Sequence, residues 1–97
     1  MPTRNERTFF VEGYVPQLDA ATVAVLSARL QTAVEELRQE GLPLAWIRSF
    51  ALLNEDTYVW MIKAAEPEHV VLIQRRAGVE FDHIAEATPD ETPHASP

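Results

Sequence analysis

A chain of 97 residues, 46% hydrophobic and 24% charged, is sized for one domain with a single core and has the composition of a folded, soluble protein rather than a disordered one. Its net charge of −7 argues against phosphate backbones and anionic membranes, which call for a basic patch, and its eight Lys and Arg residues are scattered along the chain. The lack of cysteine excludes disulfides, thiolate metal sites and cysteine nucleophiles.

No apolar run approaches the roughly 18 residues of a membrane span. Residues 1–7 lack the apolar stretch of a secretory signal. Together these set a cytoplasmic location as the expectation. Thr8 to Val15 is rich in aromatic and β-branched residues and stops at Pro16, which predicts a first strand. Asp19 has the chemistry of a helix N-cap. From Ala20 to Glu40, Val23, Leu26, Leu30, Val34 and Leu37 recur every three or four positions, the signature of one buried helix face. Gly41 suits the left-handed position after that helix, and Pro43 prevents its continuation.

Leu44 to Leu53 predicts a second strand and Thr57 to Lys63 a third, an antiparallel hairpin joined by the turn-like Asn54-Glu55-Asp56. Pro67 opens a second helix that should run to Ala77 and stop at Gly78. Phe81 to Ala87 predicts a fourth strand. The domain should therefore occupy residues 1–87, followed by a flexible Pro-rich acidic tail at 88–97 with nothing to bury. Strand, helix, strand, strand, helix, strand is the split βαβ order. The expected fold class is α+β, ferredoxin-like βαββαβ, with a four-stranded antiparallel sheet and both helices on one face.

Alternation along the strands then sorts the side chains. Phe9, Val11 and Gly13 oppose Phe10, Glu12 and Tyr14. Ala45, Ile47, Ser49 and Ala51 oppose Trp46, Arg48, Phe50 and Leu52. Val59 and Met61 oppose Tyr58, Trp60 and Ile62. Placing the smaller and aliphatic sets under the helices sends Phe10, Tyr14, Trp46, Phe50, Tyr58, Trp60 and Ile62 to the helix-free face. Ile84 should join the helices and leave Phe81, His83 and Ala85 on the open side. So large an apolar face calls for a cover. A second copy is the simplest one and would enclose a dimeric α+β barrel.

Several short motifs follow in order: Phe9-x-x-Glu12, Trp46-Ile47-Arg48-Ser49-Phe50, the acidic turn, Ala64, Glu66-Pro67-Glu68, Ala77-Gly78 and Asp82-x-Ile84. Over residues 8 to 87 they resemble a family of small actinobacterial proteins of unassigned function that includes a nickel-binding member. The resemblance implies a ferredoxin-like fold, a dimeric α+β barrel and, in that member, nickel. Family members often carry a Cys in strand three with a Tyr two residues on, and a His late in helix two. Trp60, Ile62 and Gln74 stand at those positions here, so the softest ligand and an imidazole are missing. No metal ligand and no cofactor is expected.

On the open face Glu12, Arg48 and His83 are the polar groups expected among the rings. With Tyr14, Trp46, Tyr58 and Trp60 they form the candidate ligand-binding set, able to orient a small, partly aromatic molecule. His83 or Glu12 could instead serve as a general base in a cofactor-free oxygenase, isomerase or cyclase. Equally, Glu12 and Arg48 could be an ion pair that satisfies polar groups inside a dimer interface. His69 should face solvent, and His94 lies in the tail. The run Val70-Val71-Leu72-Ile73 cannot all face one sheet, which leaves Val71 or Leu72 for a further contact, such as a purely structural interaction surface.

Overall fold

The structure, a computed structural model, describes residues 6–81 and 83–88. Expectations for residues 1–5, for Asp82 and for the tail beyond Thr88, His94 included, lie outside those residues. The element order is β1 (Arg7–Tyr14), α1 (Ala20–Gln39), β2 (Ala45–Leu52), a 3-10 turn at Leu53–Glu55, β3 (Thr57–Ala64), α2 (Pro67–Ala77) and β4 (His83–Ala87). The sheet order is β2-β3-β1-β4, and each neighbouring pair is antiparallel. This is the ferredoxin-like α+β fold. Among the described residues no helix is long and apolar enough to cross a membrane.

Local chemistry sets the helix ends. Asp19 has extended backbone, and its carboxylate accepts the Thr22 N–H at 2.8 Å, which holds the carboxyl below the usual carboxylate range. At the other end of α1, the N–H groups of Gly41 and Leu42 donate to the carbonyls of Arg38 and Leu37 at 3.0 and 3.1 Å. Gly41 adopts φ 106°, a conformation that a side chain disfavours. Pro67 occupies the first turn of α2, where a missing N–H costs no hydrogen bond, and Gly78 ends that helix.

The core is built from one face of each helix and one face of the sheet. Leu30, Ala33, Val34 and Leu37 of α1 and Val70 and Ile73 of α2 meet Phe9 and Val11 of β1 and Tyr58, Trp60, Ile62 and Ala64 of β3. The helix faces are those the periodicity predicts. On the sheet, Phe9, Val11 and Ile84 take the expected side, but Trp46, Tyr58, Trp60 and Ile62 pack beneath the helices rather than on the open face.

Two physical reasons account for that correction. Trp46 pairs with Ile62, whereas Arg48 pairs with Met61, so a bulge at Ile47 absorbs one residue and inverts the alternation before it. On β3 the large rings face Gly13 and Val11 of β1, and small residues opposite leave them room. Phe81 is also a correction. It lies ahead of β4, its ring is buried against Tyr58 and Trp60, and its N–H is accepted by the buried Gln74 side chain at 3.1 Å.

Charged side chains fasten the outer surface. Arg76 of α2 reaches Glu36 of α1 and Glu40, the residue that caps α1, at 3.2 and 2.9 Å, and Arg7 of β1 reaches Glu86 of β4 at 2.8 Å. Hydrogen bonding to Arg76 and to Arg7 holds the Glu40 and Glu86 carboxyls below their ordinary range. A depressed folded pKa contributes stability above the unfolded value and loses it as pH falls through the folded one. The melting temperature is therefore expected to drop as the medium is acidified below about pH 5. Glu40→Gln should flatten that acid limb, and added salt should do the same, since these are exposed pairs. Thermal melts monitored by circular dichroism across a pH series check this, and an identical acid limb in Glu40→Gln contradicts it.

Candidate functional site: the open sheet face

Residues directly opposite one another in an antiparallel pair share a face. On the face away from the helices, one rank across the sheet runs Arg48, Met61, Phe10, Ala85. The next runs Phe50, Val59, Glu12, His83, and the last holds Leu52, Thr57 and Tyr14. Val59 is only 1% exposed even though no helix covers it, so its neighbours on the sheet roof it over. Phe10 and Met61 are half-buried, while Phe50 at 42% and Tyr14 at 67% stand in solvent. The result is an apolar floor with an exposed aromatic rim.

Glu12, Arg48, His83 and Tyr14 are thus placed on the open face as the sequence predicts. Glu12 sits directly opposite His83 across β1 and β4, with no salt bridge joining the two side chains among the described residues. Arg48 is two strands from Glu12 and two residues along the register, about 10 Å sideways and about 7 Å lengthwise. That separation is too large for an ion pair, and the salt bridges among the described residues include neither group. A pairing of Glu12 with Arg48 is therefore not formed inside one chain.

Trp46, Tyr58 and Trp60, the other three expected ligand contacts, form a separate assembly under the helices. The Trp46 ring stacks on Trp60 with centroids 5.6 Å apart and planes at 10°, and Phe81 meets Trp60 edge-on at 6.3 Å. Tyr58 and Trp60 are fully buried, which removes them from any molecule resting on the open face. Their polar atoms, Tyr58 Oη and Trp60 Nε1, have no hydrogen-bond partner among the described residues. The Gln74 side chain is committed to the Phe81 backbone N–H. Among the described residues no three His, Cys, Asp or Glu side chains gather as a metal site would require.

His69 is half-buried rather than solvent-facing, and its Nδ1 is buried with no hydrogen-bond partner among the described residues. Val71 is half-buried and Leu72 is exposed, so the apolar run of α2 does spill onto its outer surface. Sequence reasoning misses a cleft of about 460 Å3 where the end of α1 turns into β2, lined among others by Glu35, Arg38, Leu42, Pro43 and Ala65. It is assembled from three separated segments, and no local pattern announces it. Its rim carries an exposed ion pair, Glu35 with Arg38 at 3.3 Å.

No family model, no curated protein and no solved structure matches this chain. The candidate site therefore stands on its geometry.

Proposed function

We propose that the chain is the protomer of a homodimeric small-molecule-binding protein, in which two open sheet faces close a dimeric α+β barrel around a small, partly aromatic ligand. One observation carries this reading: Phe10, Phe50, Val59 and Met61 form an apolar floor, with Glu12 and Arg48 beside it and without a salt-bridge partner among the described residues, on the one sheet face that the chain's own helices leave uncovered. Burial of apolar surface gains about 25 cal/mol per Å2. Exposed rings such as Phe50 therefore favour a second copy over solvent.

Within the closed barrel, Glu12 and His83 supply an acceptor and an imidazole at one flank, and Tyr14 a phenol beyond them. The ring of the ligand would rest on Phe10 and Phe50, since the tryptophans face the other way. The adjacency of Glu12 and His83 favours a second reading, a cofactor-free enzyme on the same scaffold with His83 as base. In that reading His83→Gln should abolish turnover while leaving ligand retention in native mass spectrometry unchanged, and a variant that turns over as fast as the parent removes it.

For the dimer and its ligand, Phe50→Glu is the informative change. Phe50 is exposed within the single chain, so a charge there leaves the fold intact and strikes only the covered state. The variant is expected to sediment as a monomer with unchanged circular dichroism, and native mass spectrometry should show a small molecule retained by the parent dimer and lost from the variant. A variant that remains dimeric contradicts the use of this face.

A further inference from the structure

Glu12 and Arg48 are opposite charges on one largely apolar face, held too far apart to meet, and neither has a salt-bridge partner among the described residues. Each is a poor component of a buried surface alone, because an unpaired charge loses hydration without compensation. A second copy related by a two-fold axis resolves both at once, since in such an interface residue i meets j and j meets i. From this we infer that Glu12 of each copy pairs with Arg48 of the other, and that this reciprocal pair fixes how the two sheets cross. The inference rests on the dimer proposed above and adds its register.

The register leaves little freedom. Two sheets pack face to face when the two-fold axis lies in the plane between them. Reciprocal pairing requires that axis to bisect the line from Glu12 to Arg48 at right angles. Glu12 is opposite Val59 and Arg48 is opposite Met61, so the midpoint of that line falls on β3 between Val59 and Met61, at the centre of the apolar floor. With about 10 Å of sideways and about 7 Å of lengthwise separation, the axis is inclined roughly 35° to the strands. The strands of the two copies then cross at roughly 70°, nearer the orthogonal than the aligned mode of sheet packing. Both ion pairs lie beside the apolar centre, where they are shielded from salt. The second copy completes the polar flank of Glu12 and His83 by adding a guanidinium that the single chain cannot place there.

Charge reversal tests the pairing. E12R puts a cation at both positions of the pair and R48E puts an anion at both. Each variant alone should dimerise roughly a hundred-fold more weakly than the parent, because like charges then face each other twice. Mixing E12R with R48E should restore a dimer of one copy of each, since both pairs become complementary again. Sedimentation velocity reads the association, and circular dichroism of each variant alone confirms that it is folded. A parent dimer whose single variants associate normally overturns the pairing while leaving the dimer in place. Weakened single variants that do not recombine overturn the reciprocal register. A parent chain that is monomeric throughout overturns the dimer itself.

Discussion

Trp60→Ala is expected to lower folding stability by about 3–5 kcal/mol, the usual cost of removing a fully buried aromatic side chain. For a domain of this size that is a fall in melting temperature of more than about 10 °C. Trp60 is 0% exposed, stacks on Trp46 and meets Phe81 edge-on, so the truncation would empty the middle of the core and loosen two other rings. Urea denaturation followed by far-ultraviolet circular dichroism measures the loss. The test also decides between the two faces of the sheet. Were Trp60 an interface residue on the open side, the change would weaken association and leave the monomer nearly as stable, and a loss under about 1 kcal/mol would contradict the core placement.

Gly13→Ala is the second large effect, and its sign is diagnostic. Inside a strand, Ala is ordinarily preferred to Gly by about 0.5–1 kcal/mol. Here a Cβ would run into Phe81 Cδ1, closer than carbon atoms approach, and would press tightly on Phe81 Cβ at 3.2 Å. The expected outcome is a loss of about 1–3 kcal/mol through overpacking. Phe81→Leu should relieve part of it, so the double variant should lose less than the two single variants summed. Chemical denaturation of the four proteins gives the coupling. Additive losses would mean that Phe81 does not press on Gly13.

Most of the fold was legible because its signals are local. Asp19, Gly41, Pro67 and Gly78 mark helix ends through backbone chemistry that acts within one turn, and α1 reveals its buried face through simple periodicity. The phase of β2 and β3 was not legible by the same means. A bulge at Ile47 leaves no trace in composition, yet it moves Trp46 to the other face. On β3 both alternating sets are apolar, since this inner strand is buried on each side, Tyr58 and Trp60 under the helices and Val59 under its own face. The polar residues that decide the phase are Lys63 and Thr57, which share a face with Val59 and Met61. Gly13 is the other clue, because a residue without a side chain opposite Tyr58 leaves room for a ring there.

The candidate site divides along the same line. Glu12 and Tyr14, on a regular strand with clear alternation, were placed correctly, as were Arg48 and Phe50 beyond the bulge. The three rings assigned to a ligand, Trp46, Tyr58 and Trp60, followed the wrong phase into the wrong surface. What remains on the open face is less aromatic than the sequence suggested but still apolar at its centre, and Glu12 and Arg48 have no salt-bridge partner there among the described residues, which is why the proposed second copy is placed to pair them.

Sedimentation equilibrium of the intact chain over a range of concentrations tests that last point most directly. The account predicts a reversible association to twice the 10.9 kDa mass of the chain. A single species at the mass of one chain, at every concentration up to the solubility limit, would contradict it.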